Sequence, residues 1–137
     1  MRFLMMIKSA ENQGSLPKAL LDALNKVRAD DPKPDRMIAT GALYPTEASV
    51  RVRVSQGQLS VIDGPFTETR EVVGGYAIME FDTKEQAIES TRGFMDLYRK
   101  NWPGWEGETE LRQIFGPKDF TVEDGKIRLT PEILPNK

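Results

Sequence analysis

The chain has 137 residues, with 19 lysines and arginines against 21 acidic residues, for a formal charge of −2. That length suits one domain with a real buried core, and the balanced charge argues against the clustered basic face that nucleic acids need. Cysteine and histidine are both absent, which removes disulfides, thiolate chemistry, Cys-ligated zinc, iron–sulfur clusters and the commonest general base.

Arg2 to Lys8 is apolar on both faces, with Phe3, Met5 and Ile7 on one and Leu4 and Met6 on the other. This pattern predicts a strand covered on both sides. Its apolar core, Phe3 to Ile7, is the longest apolar run and is too short to cross a bilayer or to serve as a signal peptide. A cytoplasmic location without membrane contact is therefore expected. Glu11 to Gly14 reads as a polar turn. Ser15 as N-cap and Pro17 in the first turn then open a helix, with Leu16, Ala19, Leu20, Ala23, Leu24 and Val27 as its apolar stripe. Asp30 to Pro34 ends it, because a residue before proline avoids the α region.

Met37 to Tyr44 is the next expected strand. Ser49 to Ser55 and Gln58 to Ile62 form a hairpin closed by Gln56-Gly57, with Val50, Val52 and Val54 expected inward and Arg51 and Arg53 outward. Gly75 to Phe81 is a further strand. Thr83 with Gln86 fits a capping box, opening a second helix with Ala87, Thr91, Phe94, Met95 and Tyr98 as its stripe. Asn101 to Gly107 is a loop holding both tryptophans, and Glu108 to Phe115 is the closing strand. One short strand, Lys126 to Thr130, is expected in the tail.

This order predicts an α+β fold, a ferredoxin-like sandwich with an antiparallel sheet and two helices on one face. The second sheet face must also be covered, most simply by another subunit, so a homodimer through the sheet faces is expected. Residues 1–120 form the domain and 121–137 a C-terminal tail.

Between the hairpin and the following strand lies Asp63-Gly64-Pro65-Phe66-Thr67-Glu68-Thr69-Arg70-Glu71. This segment resembles the signature of the YCII-related, or DGPF-domain, family. There the motif runs Asp-Gly-Pro-Phe, a small residue, Glu, Thr, a basic residue and Glu. Gly75-Tyr76 matches the glycine-aromatic step that usually follows. Met1 to Lys8, Thr40 to Leu43, Val50 to Val52 and Glu108 to Phe120 also look like the family, so the resemblance covers about the first 120 residues. It implies a dimeric α/β barrel in a bacterial protein. Most members have no assigned function, and some are associated with extracytoplasmic-function sigma factors. One distant branch uses a His–Asp pair to dehydrochlorinate an aromatic compound. Without histidine this chain cannot follow it.

Asp63, Pro65, Phe66, Glu68, Arg70 and Tyr76 are the candidate pocket residues. Asp-Gly-Pro is also good turn chemistry, and Phe66 and Tyr76 suit a core or an interface. A carboxylate at a pocket mouth would bind a cation, or take a proton if burial raised its pKa. No catalytic residue can be assigned. A metal site would need oxygen ligands alone, favouring Mg, Ca or Mn, and no calcium-loop spacing occurs, so neither metal nor cofactor is expected. Binding of a small organic molecule between sheet and helices, in a regulatory protein, is the leading reading. The alternatives are a lyase or isomerase acting on an aromatic or carbonyl compound, with Asp63 or Glu68 as base and Arg70 as anion clamp, and a structural partner protein.

Overall fold

The computed structural model describes residues 1–67 and 69–129. Its main sheet has four antiparallel strands in the order β2-β5-β1-β6, formed by β1 (Arg2–Ser9), β2 (Met37–Ala42), β5 (Val72–Glu80) and β6 (Gly107–Gln113). Two helices, α1 (Lys18–Ala29) and α2 (Lys84–Asn101), connect them. The result is an α+β fold consistent with the ferredoxin-like arrangement. A separate hairpin pairs β3 (Val50–Ser55) with β4 (Gln58–Asp63), and a second pairs β7 (Phe120–Glu123) with β8 (Lys126–Leu129). The tail thus holds two strands where one was expected, and Thr130 lies outside the described residues. No helix among the described residues is long and apolar enough to cross a membrane.

The period of two in β1 sorts its side chains as the sequence implies. Phe3 and Met5 join Met79, Phe81 and Ala87 in the core, flanked by Met37, Ala77 and Leu111. Ala87 and Met95 bring α2 onto this face, where the Thr109 hydroxyl meets Met95 Sδ at 2.9 Å. The opposite face carries Leu4, Met6, Tyr76 and Ile78, all half-buried. It is edged by the ion pair Arg2–Glu80 at 2.7 Å and by Lys8, which lies 3.4 Å from Glu110 and 3.6 Å from Glu108. Glu110 foremost holds the Lys8 ammonium above its usual range.

The helix signals resolve unevenly. Thr83 caps α2 by accepting from the Gln86 N–H at 3.2 Å, and Gln86 Oε1 accepts from the Asp82 N–H at 3.1 Å. The reciprocal bond of the box therefore falls one residue early. Helix α1 begins later than expected, with Pro17 at the N-cap position and no side-chain cap. Of its stripe, Leu20 is fully buried and Ala23 and Leu24 are half-buried, while Leu16 and Val27 stay exposed. Gln56 and Gly57 both take positive φ, as a two-residue hairpin turn requires.

The β3–β4 hairpin is turned over relative to expectation. Val52, Val54, Leu59 and Val61 are each 69–76% exposed, whereas Arg51 faces the body of the protein. Its guanidinium lies 3.7 Å from the Phe66 ring centroid and donates to Thr69 Oγ1 at 3.0 Å. A stacked, hydrogen-bonded guanidinium holds this face inward. Arg53 is exposed, as expected.

Candidate functional site

A cleft of about 280 Å³ opens where β1, β5 and the C-terminal end of α2 converge. One wall is aromatic. Tyr98 in the last turn of α2 lies 4.7 Å from Trp105 and 6.4 Å from Trp102, centroid to centroid. The turn after the helix places both indoles, since the Trp102 N–H donates to the Tyr98 carbonyl and the Trp105 N–H to that of Trp102. Gly107 lets the Trp105 ring lie on the chain, because a Cβ there would stand 2.6 Å from Trp105 Cζ2 and 2.8 Å from the Lys8 carbonyl. Burial pushes the Tyr98 hydroxyl above its ordinary value of 10.0, so it stays neutral at physiological pH.

The opposing wall comes from the turn between β1 and α1. Glu11 and Gln13 line the cleft there, and both are anchored. The Glu11 carboxylate accepts from the Thr46 N–H at 2.6 Å and from its hydroxyl at 2.7 Å. The Gln13 amide donates to the Glu106 carbonyl at 2.8 Å and accepts from the Glu106 N–H at 2.8 Å. The polar turn therefore braces the tryptophan loop with one side chain and the Thr46 segment with another. Among the described residues Glu11 is the one carboxylate lining the cleft, and no lysine or arginine lines it.

Beside it lies a second hollow of about 490 Å³, and Leu43, Tyr44, Val72 and Val73 line both. Here the signature segment enters. Phe66 is buried and lines this second hollow with Arg51, Thr69 and Glu71. Its N–H donates to the Thr46 hydroxyl at 3.2 Å, and the Gly64 N–H donates to the Ser49 carbonyl at 2.8 Å. The Gly64–Pro65 peptide is cis, and any Cβ on Gly64 would collide with the Thr46 carbonyl. Glycine is thus required by close backbone approach.

The remaining expected residues lie apart from the 280 Å³ cleft. Asp63, Pro65 and Arg70 are exposed, and the Asp63 carboxylate makes no hydrogen bond among the described residues. Tyr76 stands on the sheet face turned from the helices, its ring over Gly41. Glu68 lies outside the described residues. Among the described residues no group of three acidic side chains could hold a metal ion.

The sequence marks Asn101 to Gly107 as a loop holding both tryptophans and Glu11 to Gly14 as no more than a polar turn. The signal available for Glu11 and Gln13 was weak: an acid and an amide two residues apart after a buried strand.

Over 50 residues the chain is 36% identical to an uncharacterized protein of Rhizobium meliloti (strain 1021). That stretch covers 36% of this chain and 40% of the relative's length. The YCII-related domain matches residues 1–94, a span that takes in β1 through most of α2 and the whole Asp63–Glu71 segment. By that match the chain belongs to the YCII-related family.

Proposed function

We propose that this protein binds a small organic molecule in the 280 Å³ cleft between the end of the sheet and the C-terminal turn of α2. The observation that carries the reading is the cleft's construction. An aromatic wall of Tyr98, Trp102 and Trp105 faces two polar side chains, Glu11 and Gln13, that are held in place by hydrogen bonds. Apolar surface with a few fixed polar groups is the usual make-up of a small-molecule site. The signature segment supports the site from outside, since Thr46 is bonded both to Glu11 and to Phe66. The sigma-factor association of some members of the family that the sequence resembles supports a sensing role in a bacterial cytoplasm over turnover.

The reading includes a homodimer. Leu4, Met6, Tyr76 and Ile78 present a half-buried apolar strip on the sheet face turned from the helices, with ion pairs along its edge. A second copy placed sheet to sheet would cover it and complete a dimeric α/β barrel.

The test uses the protein's own reporters, because its only two tryptophans both line the cleft. A fluorescence-monitored screen of small organic compounds should find ligands that shift or quench the emission saturably. Trp105→Leu should weaken them at unchanged fold by circular dichroism. A screen in which no compound gives a saturable change sinks the reading.

A further inference from the structure

We propose that the ligand of this cleft is a small organic cation, a substituted or quaternary ammonium group on an apolar body. The proposal rests on the binding reading above and adds the ligand's charge. Three features of the lining support it together. Among the described residues the single formal charge in the lining is the Glu11 carboxylate. Two of its lone-pair directions are used by Thr46, and a carboxylate offers about four, so it remains able to face a cation. Four aromatic side chains, Tyr44, Tyr98, Trp102 and Trp105, line the same space, and their π faces attract cations that are stripped of water.

The third feature is the absence of any lysine or arginine from this lining among the described residues. A carboxylate or phosphate ligand would meet Glu11 with no countercharge. The adjoining hollow shows the contrast. It does contain an arginine, but Arg51 is engaged with Phe66 and Thr69. A neutral ring bearing a hydroxyl or an N–H could reach both walls but would leave the Glu11 charge unbalanced. A cation with an apolar body uses both walls and also balances that charge.

The experiment titrates the full-length protein by tryptophan fluorescence with matched pairs. Choline is set against its neutral carbon isostere dimethylbutanol, and benzyltrimethylammonium against neopentylbenzene. Each cation should bind about tenfold more tightly than its isostere. In Glu11→Gln, which keeps one acceptor for Thr46, that preference should largely vanish. Equal binding of cation and isostere, or silence from both cations up to about 10 mM, overturns the proposal. If neutral or anionic compounds bind instead, the charge assignment fails and the binding reading survives. If no small molecule of any charge gives a response, both fail. Should Glu11→Gln not fold, the wild-type pairs still decide.

Discussion

The side-chain amide of Gln13 pairs with the backbone of Glu106 at two points, 2.8 Å each, across a sequence separation of 93 residues. An amide side chain here does what a neighbouring strand would do, satisfying an N–H and a C=O at once. The pairing fixes the loop that carries Trp105. Gln13→Ala should lower stability by about 1–2 kcal/mol, the net value of two such bonds, in urea unfolding. Tryptophan emission should also move to the red as the indoles gain water. Gln13→Glu should do no better, because its carboxylate would face the Glu106 carbonyl. Unchanged emission in both variants would show that the loop holds itself.

Within the signature segment, structure separates residues that the motif treats alike. Phe66 is 7% exposed, packed under Arg51 and tied to Thr46, so Phe66→Ala should cost about 3–5 kcal/mol. Gly64→Ala should also be strongly destabilising, since the new methyl meets the Thr46 carbonyl. Asp63→Asn, at an exposed carboxylate with no partner among the described residues, should stay within about 0.5 kcal/mol. Urea midpoints of the three variants check the order. A large loss for Asp63→Asn would restore a role for that carboxylate.

How much of this was legible in the sequence depended on how local the signal was. The alternation in β1, the Thr83–Gln86 cap and the stop at Asp30 to Pro34 are written within a few residues each, and they appear in the structure. The facing of the β3–β4 hairpin could not be read this way. Alternation says that Val52 and Arg51 point opposite ways, not which of them meets the protein. Valines are expected inward because burial favours them, but Phe66, fifteen residues further along, supplies a ring for Arg51 and reverses the choice. The cleft was less legible still. Its walls come from the turn after β1, the segment after β2, the start of β5 and the end of α2. No spacing rule links Glu11 to Trp105, and only the four-stranded sheet brings them together.

Tyr98 offers a pH test. Burial raises its folded-state pKa above 10.0, so the unfolded chain gives up this proton first. The neutral form's contribution to stability is complete below the unfolded value and is lost as pH rises through the folded one. Stability should therefore fall in the alkaline range above about 10. Tyr98→Phe should flatten that part of the decline and remove a tyrosinate absorbance transition lying above the ordinary value. If the alkaline loss is the same in Tyr98→Phe, the burial of this hydroxyl is not its cause.

The Arg51–Phe66 contact tests the hairpin's orientation directly. A guanidinium 3.7 Å from a ring centroid, on a residue that is itself half-buried, should couple to the ring by about 0.5–2 kcal/mol. A double-mutant cycle with Arg51→Ala and Phe66→Leu, read by urea unfolding, isolates that term. Leucine keeps apolar volume under the hairpin, so the cycle does not report a cavity. Arg51→Lys should recover less than half of the coupling, because an ammonium cannot lie flat on the ring and donate to Thr69 together. The valine face gives the opposite expectation. Val52→Thr and Val61→Thr, at 69% exposure each, should change monomer stability by less than about 0.5 kcal/mol. If instead the valine substitutions are costly and the arginine cycle shows no coupling, the hairpin lies the other way up, with its aliphatic face against the protein.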